Sequence, residues 1–163
     1  MTILKGDLFQ YFYIHKHLPT VPAVCPHCTN NVGAFGAGFA AAVARTYPIV
    51  QQKYYELFQK KDLNLTRREC YGGTTQFVTV NEKITFANMF GQNGLISPSN
   101  PMPVRYEWLE TCMGQVAEKA KELKAEIITI PFGSGLAGGD RNKIYEMMNT
   151  IWKDIPVTVY TID

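Results

Sequence analysis

The sequence predicts a three-layer α/β/α domain, with strands covered by helices on both faces. Three observations carry that expectation. Short β-branched, apolar runs alternate along the chain with segments whose apolar residues recur at helical spacing. One run, Glu126-Ile127-Ile128-Thr129-Ile130-Pro131, is apolar almost throughout, as a strand buried on both faces must be. Two glycine-rich stretches, Gly33-Ala34-Phe35-Gly36-Ala37-Gly38 and Gly133-Ser134-Gly135-Leu136-Ala137-Gly138-Gly139, each stand between a strand and a helix.

Taken in order, Thr2 to Lys5 reads as a short strand running into Gly6-Asp7-Leu8-Phe9. Val21 to Cys28 is a second strand. The first glycine loop follows it and opens an alanine-rich helix through Ala40, Ala41, Val43 and Ala44 that ends near Tyr47-Pro48. A further helix covers about Ile49 to Phe58. Thr74 to Val80 and Lys83 to Met89 are strands joined at Asn81-Glu82, which reads as a tight hairpin turn. Gly91 to Pro103 is a long loop rich in Gly, Pro, Ser and Asn. Tyr106, Leu109, Met113, Val116, Ala117, Ala120 and Leu123 then form one helical stripe. The apolar strand to Pro131 and the second glycine loop lead into a helix from Asp140 to Trp152, periodic in Ile144, Met147, Met148 and Ile151. Val157 to Thr161 is a closing strand. Nothing marks an internal repeat or a linker. At 163 residues one domain is expected, burying about 70% of its unfolded surface.

The charge balance narrows the partners. Sixteen basic and fourteen acidic residues leave a formal charge of +2 and are interspersed. The longest basic clusters, Lys60-Lys61 and Arg67-Arg68, read as solvated loop ends, too short for a nucleic-acid footprint. No apolar run approaches the ~20 residues of a membrane helix, and Met1 to Gln10 lacks a signal-peptide pattern, so a cytoplasmic location with reduced thiols is expected. Cys25-Pro26-His27-Cys28 invites a zinc reading. Zinc wants four ligands, however, and Cys70 and Cys112 stand singly rather than as a second close pair. On a strand, Cys25 and His27 would share one face and Cys28 the other. A buried strand is therefore preferred, with neither metal nor cofactor expected.

Glycines at strand–helix junctions let the backbone approach an anion, and the helix behind aims unpaired N–H groups and a positive dipole end at it. Two such loops point to a ligand with more than one phosphate, or with a phosphate and a sugar. Gly133-x-Gly135-x-x-Gly138 fits the dinucleotide fingerprint by letter, with Asp154 farther along. Only one strand remains after its helix, too little for a doubly wound dinucleotide domain. Neither loop is followed by Gly-Lys-Ser/Thr, which sets aside a P-loop NTPase.

Three stretches resemble the macro domain, the ADP-ribose-binding α/β/α module. They are Lys5-Gly6-Asp7-Leu8-Phe9, the run from His27-Cys28-Thr29-Asn30-Asn31 to Gly36-Ala37-Gly38-Phe39-Ala40, and Ile130-Pro131-Phe132 through Gly139-Asp140. Their order and spacing span the chain. The resemblance is closest to the branch that includes terminal ADP-ribose glycohydrolases and ADP-ribose 1″-phosphate phosphatases. It implies a single macro-type domain over 1–163 with a mixed central sheet. The implied function is binding of ADP-ribose or a derivative, with hydrolysis at the distal ribose. The competing expectation is a non-catalytic module that reads or sequesters such a ligand, free or carried on an ADP-ribosylated macromolecule.

Each implied role has a plainer counterpart. Asp7 would accept from the adenine amine, or simply cap a helix. Leu8 and Phe9 would flank the base, or belong to the core. Asn30 would bond ribose hydroxyls, or shape a turn. Phe35 is either loop packing or a lid over the distal ribose. Gly36, Ala37 and Gly38 would meet the distal ribose. Gly133, Ser134, Gly135, Leu136, Ala137 and Gly138 would cradle the diphosphate, with the Ser134 hydroxyl as a donor. His27 and Asp140 are the catalytic candidates; their counterparts are a satisfied core histidine and a helix cap. Gln92 stands about where the glycohydrolases carry a lysine. An amide cannot form a covalent adduct with the opened sugar, so lysine-dependent deglycosylation is not expected.

Overall fold

A computed structural model describes residues 1–14, 20–59 and 71–163, with the backbone alone for Ile14. Lys60, Lys61, Arg67, Arg68 and Cys70 lie outside the described residues. The elements run β1 (Thr2–Lys5), α1 (Leu8–Ile14), β2 (Ala23–Asn30), α2 (Gly38–Thr46), α3 (Pro48–Gln59), β3 (Thr75–Thr79), β4 (Ile84–Gln92), α4 (Tyr106–Leu123), β5 (Glu126–Thr129), α5 (Arg141–Ile151) and β6 (Val157–Thr161). Among the described residues, no helix is long and apolar enough to cross a membrane.

The six strands form one sheet in the order β1-β6-β5-β2-β4-β3. All pairs are parallel except β3 with β4, so the sheet is mixed, as expected. That hairpin closes where Asn81 Oδ1 accepts from the N–H groups of Lys83 and Ile84, both at 2.9 Å. The parallel strands need crossovers, and the helices supply them on both faces. Strand alternation divides the core in two. Val24, Ala87, Met89 and Ile127 face α4 and α5, whereas Cys25, Ile84, Phe86, Phe90 and Ile128 face α1, α2 and α3. Cys25 and His27 fall on one face and Cys28 packs on the other, as the alternation required. Strand β4, between β2 and the edge strand β3, is buried at every residue.

One proline positions the site. The β2–β5 ladder pairs only Ala23 with Glu126 and Val24 with Ile127. Two residues past Val24 stands Pro26, which has no N–H to donate, and the Thr129 hydroxyl bonds the Pro26 carbonyl at 2.6 Å instead. Toward their carboxyl ends β2 and β5 therefore leave the ladder. Here the chain connections turn to opposite sides of the sheet, the place where open α/β sheets form their crevice.

Candidate functional site

A cavity of about 690 Å³ opens at those carboxyl ends, within the range of small-molecule sites. Its floor is the end of β2, from His27 to Asn30. One wall is the first glycine loop and the start of α2; the other is the segment from Ile130 to Ala137. Both glycine loops thus line one space.

The backbone of each loop is shaped by local bonds that leave its inner amides unspent. In the second loop Gly133 has φ +75°, a left-handed conformation that favours glycine. The Gly139 N–H returns to the Gly133 carbonyl at 2.8 Å, and the Gly138 N–H to Gly135 at 3.0 Å. The N–H groups of Ser134, Gly135, Leu136 and Ala137 make no hydrogen bond among the described residues. In the first loop the Asn30 Oδ1 accepts from the N–H groups of Val32 (3.1 Å) and Ala34 (3.2 Å), and its Nδ2 donates to the Ala34 carbonyl at 2.7 Å. The Tyr54 hydroxyl adds a third donor to the same oxygen at 2.9 Å. Helix α2 then starts at Gly38 behind Ala37, which has no side chain to cap it. Two sets of unpaired amides, one at a helix start, share the cavity, an arrangement suited to oxyanions.

His27 is 2% exposed, and its Nε2 lies 2.5 Å from Asn88 Oδ1. Its ring packs edge-on against Phe35, Phe39 and Phe86. Burial lowers its pKa to about 4, opposed in part by the Asn88 bond, so the imidazole is neutral at pH 7. Burial also pushes the Cys28 thiol up to about 12, leaving it protonated. Among the described residues no three His, Cys, Asp or Glu side chains group to hold a metal. The one charged side chain in the described lining is Arg141, the first residue of α5, which donates to Asp163 at 2.8 Å.

Several expected site residues do not line the cavity. Leu8 and Phe35 are core residues, 2% and 1% exposed. Phe35 is therefore loop packing against Tyr54 rather than a lid. Asp7 is a helix cap, its Oδ1 accepting from the Phe9 N–H at 2.9 Å. Phe9 reaches the site only through Phe39, with ring centroids 5.2 Å apart. Asp140 caps α5 by accepting from the Asn142 N–H and does not line the cavity. Gly138 is turned toward Pro101, whose carbonyl stands 2.8 Å from where a Cβ would be. Asn30 does line the cavity, but its amide is committed to its own loop. The Ser134 hydroxyl donates to Pro131 at 2.7 Å, which leaves its amide as the available donor. Gln92 lines the cavity with its Nε2 held by the Gly94 carbonyl at 3.0 Å.

The sequence reading missed Arg141, Leu95 and Ile96. The last two are an exposed apolar pair lining the cavity from the long loop after β4. Their signal was present, since two adjacent aliphatics are out of place in a Gly/Pro/Ser/Asn loop. Arg141 had only its position one residue past the expected cap.

No protein-family model matches the chain, and no curated protein does. Solved structures do. A protein of unknown function from Bacteroides thetaiotaomicron superposes with a TM-score of 0.81 at 28% identity, over 98% of this chain and 96% of that one. The Thermosipho africanus DarTG, solved with ADP-ribose, shares the fold at 18% identity and TM-score 0.69, over 97% of this chain and 40% of that one. A macrodomain protein from Streptomyces coelicolor is 30% identical over 98% of this chain and 97% of its own, with a TM-score of 0.76. With that identity along nearly the whole of both chains, and with two glycine loops facing each other across the end of a mixed six-stranded sheet, the chain belongs to the macrodomain family.

Proposed function

We propose that this macrodomain binds ADP-ribose or an ADP-ribose derivative in the cavity between its glycine loops. The observation that carries the reading is the pair of unspent amide sets in one cavity, with one cation and no carboxylate in the described lining. Such a lining favours a diphosphate and disfavours a cation. The ADP-ribose held by the Thermosipho DarTG supports the same ligand for this architecture. The diphosphate would lie against Ser134 to Ala137, the distal ribose against Gly36 to Gly38 and His27, and the adenine beyond Phe39 toward Phe9 and Asp7. We read 1–163 as one such unit acting in the cytoplasm, a setting that suits its free thiols at Cys25, Cys28 and Cys112. Calorimetric titration with ADP-ribose, AMP and NAD tests this. ADP-ribose should bind tightest, because it alone offers both a diphosphate and a free distal ribose. Equal affinity for AMP would refute it.

A hydrolytic reading rests on His27, a neutral imidazole in the floor of the cavity. It could position a water or a hydroxyl at the distal ribose, with the loop amides stabilising charge on a phosphate there. Asp140 caps α5 and stands outside the cavity lining, so this reading assigns the hydrolytic role to His27. Phosphate release from ADP-ribose 1″-phosphate, lowered about 10²-fold by His27→Ala, would support hydrolysis. Tight binding without turnover would leave a module that reads or sequesters ADP-ribose, free or on a macromolecule.

A further inference from the structure

A line of side chains crosses the sheet behind His27. Strand register sets His27 beside Asn88 and Asn88 beside Gln76, across β2, β4 and β3. The bonds along it are His27 Nε2 to Asn88 Oδ1 at 2.5 Å, Asn88 Nδ2 to Gln76 Oε1 at 3.0 Å, and Gln76 Nε2 to the Lys53 carbonyl of α3 at 2.8 Å. The last partner orients all the others. A backbone carbonyl can only accept, so the Gln76 NH₂ must face it and Gln76 Oε1 must face Asn88. Asn88 then presents its NH₂ to Gln76 and its oxygen to His27. An amide oxygen cannot donate, so the proton is on His27 Nε2. Nδ1 keeps a lone pair, has no partner among the described residues and retains access to solvent; the ring it belongs to lines the cavity.

We infer that Asn88, oriented by Gln76, is a positioning residue of the site. It holds His27 as the Nε2–H tautomer, so that Nδ1 accepts a hydrogen bond from a hydroxyl of the bound ligand. A hydroxyl-bearing sugar is the matching chemistry, and a group with no proton to give would be disfavoured there. The inference rests on the ADP-ribose reading only for the identity of that sugar. Nothing in the amino-acid pattern of β3 alone marks Gln76 for this role, since it is half-buried on an edge strand of the sheet. What assigns it is the uninterrupted donor order from the α3 carbonyl to the imidazole.

Nitrogen-15 NMR of the histidine ring tests this directly. The wild-type protein should show a protonated Nε2 and a bare Nδ1 without ligand, and the Nδ1 resonance should move when ADP-ribose is added. Asn88→Leu should mix or reverse the tautomers and weaken ADP-ribose binding about tenfold, the value of one neutral hydrogen bond at the site. Asn88→Asp keeps an acceptor facing Nε2 and should restore the protonated Nε2. A bare Nε2 in the wild type, or an unchanged tautomer in a folded Asn88→Leu protein, would overturn the inference. So would an Nδ1 resonance that stays put while ADP-ribose binds. The tautomer is read without ligand, so failure of the wild type to bind ADP-ribose would refute the proposed ligand and leave the positioning role to be decided by the variants. If Asn88→Leu does not fold, Gln76→Leu frees Asn88 to flip and must shift the tautomer in the same way.

Discussion

Gly36→Glu should abolish ligand binding without unfolding the protein. Gly36 lines the cavity, and a Cβ built on it meets nothing within 4 Å. Its φ is outside the left-handed range, so a side chain costs no backbone strain. The glutamate would instead extend into the space assigned to the distal ribose and diphosphate. A carboxylate about 5 Å from one phosphate charge, at an effective dielectric of about 20, is opposed by about 3 kcal/mol. That alone is over a hundredfold in affinity, before the volume lost to the side chain is counted. Gly36→Ala is the control: it adds a methyl group in open space and should keep affinity within a few-fold. Calorimetry with ADP-ribose, run beside thermal melts of the three proteins, reads both arms. A folded Gly36→Glu protein that binds as the wild type does would mean the ligand lies outside this cavity, and would remove the argument from the glycine loops.

Asp7 separates capping from recognition: Asp7→Ala should lower stability by about 1 kcal/mol through loss of the bond to the Phe9 N–H, read as a fall in Tm. Asp7→Asn retains an acceptor for the cap, so a tenfold loss of ADP-ribose affinity at unchanged Tm would show that the carboxylate reaches the adenine amine. Arg141→Ala should leave Tm nearly unchanged, because its bond to Asp163 is exposed, yet weaken ADP-ribose binding about tenfold as the cavity loses its cation. His27 makes stability depend on pH. Its folded pKa of about 4 lies below the unfolded value of about 6.5, so the unfolded chain takes up the proton first. Stability is full above pH 6.5, falls as pH drops toward 4, and loses about 3 kcal/mol over that window. Urea unfolding at pH 7 and pH 4.5 should show the difference, and His27→Gln should flatten it.

Much of the architecture is local and could be read from the residues. The period-2 and period-3.6 patterns placed most strands and helices, because burial on a sheet or helix face imposes those repeats. Asn81 marked its hairpin because an Asn side chain bonds its own backbone. The two glycine loops could be paired as one site because each followed a strand of a parallel sheet, whose carboxyl ends lie on one edge. Helix α1, by contrast, shows in the sequence only through the capping residue Asp7, since its aromatic-rich run lacks a clear polar face.

Tertiary structure alone decided which side chains reach the cavity. Leu8 and Phe35 stand within motifs that resemble ligand contacts, yet they turn into the core against α2 and α3, a direction set by packing partners far along the chain. Asp140 and Arg141 are adjacent, but the first caps the helix and the second lines the cavity, because the chain turns from loop to helix between them. The His27–Asn88–Gln76 line is the clearest case. Its members lie 61 and 12 residues apart, and only the register of three strands makes them neighbours. Sequence by itself determined the layers, the glycine loops and the family resemblance, since these follow from periodicity and local backbone chemistry. Long-range strand register and packing decided the proton on His27 and the charge in the cavity, and no local pattern encodes either.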